Sequence, residues 1–471
     1  MTDFSELFHT ALADFTELSA AAADLSTVLT GEVFTPTDAG FAEELSGFNL
    51  ATVHHPLAVV AVASEQDVAE AVGFAAANRL PVRVQATGHG AHTPIVDGIV
   101  ISTGRLTGVT VDRATRTAVV EAGARWSAVV AAAAAVGLAP VTGAAPSVGV
   151  VGYLLGGGLG PLSRSHGVSS DRARRFRVVT GTGEVVDASA ATNPDLYWAL
   201  RGGKGGLGVV TEVELELVEI PALYAGSLLF AEEHIEQVVR GWVDFTASAP
   251  DDVTTSIAIM RMPPLEVIPE PLRGRTLVSL RFAYPGAADR GEALAAPLRA
   301  LAPVYLDALG PLPVDQVGTI HGDPGEATPA WSSGLLLEPV DQDFVTTLLA
   351  AVGPEQQVPY VVVEVRHLGG ATRVDVPEGS AVGGRSGAYT LVFVGVPDPA
   401  LFTEALPDLT DRIVASLDRW VAPVTTINFA SHQATAEQYA RAWSPEQSKR
   451  LATVRAAYDP HGLFPHCPAL A

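Results

Sequence analysis

From Ser127 to Ser163 the chain carries no charged residue, and a stretch of that length without charge must leave water, either into lipid or into the interior of a fold. Gly152 and Gly156 even have the GxxxG spacing used where membrane helices touch. Pro140, Pro146 and the seven glycines between Gly143 and Gly160 interrupt the run, and irregular backbone facing lipid finds no partner for its N–H and C=O groups. The segment is therefore expected inside protein, as an Ala-rich helix, a loop, a strand and a glycine loop. With 471 residues the chain exceeds the size at which a single core usually divides, so two domains are expected and a large ligand can be enclosed.

Charge limits the partners. Lys and Arg number 29 against 52 Asp and Glu, a net −23, which repels phosphate backbones and anionic membrane surfaces; neither nucleic acid nor a membrane is an expected partner. The single cysteine, Cys467, excludes an internal disulfide framework and any Cys-based metal site, which suits a reducing compartment. The first residues, MTDFSELFHTALADFTELSAAAADL, are acidic where a secretory signal is basic, so a cytoplasmic location is expected.

Hydrophobic periodicity organises the rest. After a helical N-terminal stretch, Ser64 caps a helix whose Val68, Val72, Ala75 and Ala76 share a face, and the runs PVRVQA and GIVIST flank a turn containing His89 and His92. GVTVD and TAVVEAG predict an antiparallel pair, RRFRVVTGTGEVVDAS a hairpin, NPDLYWALRG a helix with Pro194 first, and GVVTEVELELV a strand alternating Val213, Leu215 and Leu217 with three glutamates. Texture changes near Pro221. Beyond it, SIAIMRM, TLVSLRFAY, YVVVEVRHL and AYTLVFVGV predict strands mixed with helices rather than βαβ crossovers. The expected class is α+β, with domains over 1–220 and 221–421 and a segment 422–471 returning to the first.

Two glycine-rich turns, ATGHGAH at Ala86–His92 and GAAPSVGVVGYLLGGGLG at Gly143–Gly160, form an amide nest able to hold a diphosphate without lysine. Neither fits the Rossmann G-x-G-x-x-G, which directly follows a first strand and leads into a crossover helix.

Taken with LYWALRGGKGGLGVVTEVELEL and the C-terminal INFAS and AAYDP, these motifs resemble, in order, the FAD-linked oxidases of the vanillyl alcohol oxidase and p-cresol methylhydroxylase (PCMH) superfamily, berberine bridge enzyme-like branch. The resemblance covers about half the chain. It implies a two-domain FAD-binding PCMH-type fold with an antiparallel-sheet substrate domain backed by helices. It assigns FAD contacts to Gln85, Ala86, Thr87, Gly88, His89, Gly90 and Ala91, with His89 matching the histidine bonded to the flavin 8α-methyl. Ala145 stands where many relatives have a second, cysteinyl bond, so attachment is expected through one bond, as in the hydroxynicotine oxidase type. Further matches are Pro146, Val148, Gly149, Gly152, Tyr153, Gly156, Gly157, Gly158, Gly160, Gly208, Val209, Val210, Asn428 and Phe429. Val148, small at the oxygen-access position, resembles oxidases; Tyr153 replaces a histidine near the ring.

A flavin takes hydride at N5 while a side chain removes the accompanying proton. In YVVVEVRHL, Glu364 and Arg366 share one face, and Tyr389 is a further candidate if a cation such as Arg385 lowers its pKa; with Tyr153 these are the expected catalytic residues. The expected reaction removes hydride from a carbon bearing oxygen or nitrogen in a small molecule, with dioxygen returned as hydrogen peroxide. Two alternatives stay open: a dehydrogenase of the same fold using another acceptor, and a non-catalytic flavin or nucleotide binder.

Overall fold

The computed structural model describes residues 24–266, 268–430 and 436–465; the expected N-terminal helix as far as residue 23, and Cys467, lie outside them. Three sheets organise the chain. The first has the order β1-β2-β4-β3, from β1 Glu32–Phe34, β2 Ala58–Ala61, β3 Val82–Gln85 and β4 Ile99–Ser102. The second, β5-β6-β9-β7-β8, uses β5 Val109–Asp112, β6 Thr117–Glu121, β7 Ala173–Val179, β8 Val185–Ser189 and β9 Val209–Glu216. Both belong to one hydrophobic core, which the helix Pro445–Tyr458 re-enters through Leu451 and Val454.

Local chemistry explains the entry to the first sheet. Ser64 accepts from the Asp67 N–H at 3.1 Å, while the Asp67 carboxylate takes the N–H groups of Thr30, Gly31 and Ala63. Capping of this kind is worth about 1 kcal/mol. It launches helix Glu65–Asn78, whose Val68, Ala71, Val72 and Ala75 are buried. β3 and β4 run parallel, Val82 opposite Ile99 through Gln85 opposite Ser102. The chain between them must therefore travel back the length of the strand, which puts the histidine turn at the carboxyl end of a parallel pair, where ligands of such sheets collect.

The third sheet is antiparallel and ordered β13-β10-β12-β11-β16-β17-β15, with β14 paired to β10. Its strands are β10 Tyr224–Ala231, β11 Thr254–Arg261, β12 Thr276–Tyr284, β13 Val304–Asp307, β14 Gly310–Pro311, β15 Ser332–Leu337, β16 Tyr360–His367 and β17 Tyr389–Gly395. Helices Ile235–Thr246, Ala288–Arg299, Gln342–Val352 and Ala405–Ser416 cover one face, joined to it through Ile257, Leu280, Phe282, Val363, Val365, Leu391 and Phe393. Burying each such side chain stabilises by about 1.5–3 kcal/mol. Alternation sends Ser256, Arg281, Glu364 and Arg366 to the opposite face, toward the first domain.

One expectation is corrected. No strand forms between Trp126 and Gly160. Helices Trp126–Ala134 and Val150–Leu154 are joined by irregular chain tied at two isolated bridges, Ala139 to Val218 and Arg125 to Gly149. Pro140 and Pro146 lack the N–H a ladder requires. The charge-free run is nonetheless mostly buried, with Ser127, Ala128, Ala131, Ala135, Gly137, Pro146 and Gly152 exposed, and among the described residues no helix is long and apolar enough to cross a membrane.

Candidate active site

The β3–β4 connection is held from outside by a segment that sequence reasoning assigned no role. Gln85 donates to Leu45 O at 2.9 Å, Thr87 O accepts from Phe48 N at 2.8 Å, and Ala91 O accepts from Asn49 Nδ2 and Thr52 Oγ1. Gly88 has φ +63°, and a Cβ there would stand 2.5 Å from the Cα of Gly47; only glycine allows both the turn and that approach. The His89 ring packs on Phe48 with centroids 4.1 Å apart. Its buried Nδ1 has no hydrogen-bond partner among the described residues, and burial lowers its pKa, so the ring is neutral at pH 7. Gly90, beside it, borders open space.

The second glycine turn lies alongside. Gly149 N donates to Thr87 Oγ1 at 3.3 Å and packs near Ala86, while Val148 O and Pro146 O accept from Trp126 N and Ser127 N. Tyr153, on the short helix that follows, meets Trp126 edge-on at 5.8 Å and has Gly143 and Gly158 against its ring. Burial pushes its phenol up to about 12, opposed in part by the nearby Ser169 hydroxyl and the Arg366 charge, so it stays protonated. Asn428 arrives from the C-terminal segment and donates to Tyr153 O at 2.9 Å; a Cβ at Gly156 would run into its carboxamide. Gly157 and Gly158 fold over Ser170 and Ser169, and Gly160 lines the adjoining cavity.

That cavity separates the turns from the third sheet and has about 20 Å³ of internal space, room for a water-sized molecule. Pro161, Ser256, Arg281, His321 and Arg366 line it. Glu364 is its charge centre, bonded at 2.8 Å to Ser256 Oγ, Arg281 Nη1 and Arg366 Nη2. Burial alone would raise its pKa, but the two guanidiniums outweigh that and hold it well below the usual carboxylate range. The Arg366 guanidinium lies 5.4 Å from the centre of the Phe429 ring. His321 Nε2 stands 3.4 Å from Glu364, without hydrogen-bond alignment, on a side chain 6% exposed; burial depresses its pKa, so the imidazole is neutral. Arg281 and His321 escaped the sequence reading. Alternation of Arg281 with Leu280 and Phe282 in TLVSLRFAY was the available signal for the first; an isolated histidine in a 3-10 turn offers none.

The arrangement suits a flavin dinucleotide. Besides His89 Nδ1, the side-chain oxygens of Thr142, Ser147 and Ser170 around the glycine turns are buried without partners among the described residues, an unusual concentration unless a polar ligand completes them. An FAD binding domain family matches residues 56–189. The (R)-6-hydroxynicotine oxidase of Paenarthrobacter nicotinovorans is 28% identical over 93% of this chain and 95% of its own length. Among solved structures, 6-hydroxy-D-nicotine oxidase from Arthrobacter nicotinovorans superposes with TM-score 0.80 at 25% identity, covering 93% of this chain and 97% of that one. The glucooligosaccharide oxidase of Acremonium strictum, with a 6-S-cysteinyl, 8α-N1-histidyl FAD, shares the fold at TM-score 0.77 and 20% identity, covering 95% of this chain and 97% of that one. Over most of its length the chain is similar to FAD-linked oxidases of the hydroxynicotine oxidase type, and it carries an FAD binding domain. It is an FAD-dependent oxidase of two-domain PCMH-type fold.

In this oxidase Tyr389 is not over the flavin site, which corrects the sequence reading. Its ring stacks on His367 at 5.1 Å and its hydroxyl meets Thr246 Oγ1 at 2.8 Å, on the helix-covered face of the sheet. Burial raises its pKa, so it is no phenolate. Arg385 does not serve it either, being paired with Asp171 at 2.5 Å and Asp375 at 3.0 Å. Gly208 packs on Val179 O, and Val209 and Val210 are buried ladder residues of β9 opposite Val179 and Val178. β6 pairs with β9 from Glu212 to Glu216, and beyond it Ala122 N donates to Thr211 O.

Proposed function

We propose that the oxidase carries FAD attached at His89 through a single bond, and that Glu364, Arg366, Arg281 and His321 form the substrate end of its site. The observation that supports this most is the buried Nδ1 of His89, without a partner among the described residues, beside Gly90, which borders open space. Ala145, in place of a cysteine, leaves no thiol there for a second bond. The amides of Gly88, His89 and Gly90 suit the diphosphate. Tyr153 and Asn428 flank the ring.

Bound flavin supplies a hydride acceptor for a carbon bearing oxygen or nitrogen, with dioxygen as the final oxidant. The protein supplies the rest. His321, neutral and facing the cavity, takes the proton of a substrate O–H or N–H, and Glu364 at 3.4 Å balances the imidazolium so formed. Arg281 and Arg366 keep Glu364 ionised for that purpose. Protonated Tyr153 offers a hydrogen-bond donor but not a base. The substrate class is a small alcohol, amine or sugar hydroxyl.

Acid precipitation tests the attachment. Yellow colour should stay with the wild-type pellet and appear in the supernatant of His89→Ala. Equal release from both proteins excludes a covalent bond at this histidine.

A further inference from the structure

Lys204 belongs to none of the groups assigned above. It interrupts the glycines of RGGKGGLG with φ +63°, a left-handed conformation that is strained for a residue with a side chain and freely adopted by glycine. Its ammonium donates to Asn428 Oδ1 at 3.0 Å and to Gly152 O at 3.3 Å. Both acceptors are neutral, and no carboxylate among the described residues pairs with it. An ammonium has three N–H donors; the third has no acceptor among the described residues. Burial lowers its pKa to about 8, so at neutral pH most molecules still carry the charge. A partly buried cation with no counter-charge among the described residues is stabilised by an arriving anionic group.

The place of this charge is well defined. The Asn428 carboxamide that accepts from Lys204 also donates to Tyr153 O, and the next residue, Phe429, lies below the Arg366 guanidinium. Gly152, the other acceptor, borders open space. Lys204 thus stands where the FAD-binding turns meet the substrate cavity.

We propose that Lys204 is the fixed positive charge facing the pyrimidine edge of the flavin ring, where it favours the reduced, anionic form; this rests on the FAD reading above. The charge balance requires such a partner. A substrate H–C–X–H, with X oxygen or nitrogen, becomes C=X by losing a hydride and a proton. The hydride carries two electrons and one proton to the ring, which gains one negative charge, while the other proton goes to His321. Dioxygen then accepts both electrons and both protons to leave as hydrogen peroxide. A cation near the diphosphate would meet the same charge in both redox states and would alter retention of the cofactor rather than its potential.

Lys204→Gln keeps N–H donors for Asn428 and Gly152 and removes the charge; Lys204→Met is a second neutral variant and Lys204→Arg restores the charge. Each is purified as holoprotein, its flavin potential measured by equilibration with reference dyes, and its dissociation constant measured for sulfite, which adds to the oxidised ring and leaves it negative. The neutral variants should retain flavin, shift the two-electron equilibrium at least tenfold toward the oxidised form, about 30 mV, and bind sulfite at least tenfold more weakly, with Lys204→Arg close to wild type. Unchanged potential and sulfite affinity in a flavin-loaded neutral variant overturn the proposal. So does failure of the neutral variants to take up flavin while they keep the wild-type far-ultraviolet circular dichroism, since that places the charge on the diphosphate. Wild-type protein that takes up no flavin would instead refute the FAD reading, a distinguishable failure that removes both.

Discussion

Glu364→Gln removes one negative charge from the middle of the substrate sheet and leaves the side-chain volume almost unchanged. The wild-type carboxylate is 4% exposed and lies 2.8 Å from both Arg281 Nη1 and Arg366 Nη2. With charge centres roughly 4 Å apart and an effective dielectric of about 20, each pair contributes about 4 kcal/mol of attraction before desolvation is counted. Loss of one member of a buried ion pair generally destabilises by about 3–5 kcal/mol, because the surviving charge stays buried without compensation. Glu364→Gln leaves two such charges, so at least that loss is expected, equivalent to a fall of roughly 10 °C in Tm for a domain of this size. Urea unfolding followed by tryptophan fluorescence reports it, since Trp242, Trp331 and Trp420 all lie in the core of the substrate domain. The transition assigned to that domain is the relevant one, as two cores need not unfold together. Adding Arg281→Met to Glu364→Gln should recover part of the loss, giving strong non-additivity. A loss below about 1 kcal/mol, or strictly additive effects, would refute the claim that these charges are mutually dependent.

Two further outcomes concern pH. His367 has its pKa lowered to about 3 by burial and by the charges of Arg164 and Arg373; the folded value lies below the unfolded 6.5, so its stabilising contribution is complete above that pH and declines below it. At pH 5 the deficit is 1.5 pKa units, about 2 kcal/mol, and thermal unfolding between pH 8 and 5 should show a steeper decline for wild type than for His367→Gln; parallel curves would contradict this. His321 is likewise depressed by burial, so anaerobic flavin reduction by substrate should slow only as pH falls below about 6.5. His321→Gln should lose that acid limb and slow the step by about 10²–10⁴, as stopped-flow measurement will show; a retained limb would assign the base elsewhere.

Much of the site was legible because its signals are local. The turns ATGHGAH and VGVVGYLLGGGLG carry their meaning in glycine spacing, and alternation in YVVVEVRHL alone put Glu364 and Arg366 on one face and Val363 and Val365 on the other. The failures were of another kind. Tyr389 was a reasonable candidate by residue type, but which face of β17 meets the helices depends on its register with β16, where His367 stands opposite it. The strand expected before Gly160 failed because apolar composition does not create a ladder partner. β10 and β15 were passed over although both sit in the largest sheet; their alternation is interrupted by Gly226 and Gly334.

The residue order alone determined that a charge-free, glycine-broken stretch had to be internal, that a histidine would stand in a turn beside it, and that the second half would build an antiparallel sheet. These follow from short-range sterics and from the cost of placing apolar surface in water. Folding determined the neighbours: Phe48 against His89, Asn428 beside Lys204 and Tyr153, and His321 and Arg281 around Glu364. Each pair joins segments tens to hundreds of residues apart, and no local preference encodes such distances. Only packing of the finished cores brings the charges close enough, and far enough from water, to alter one another's protonation.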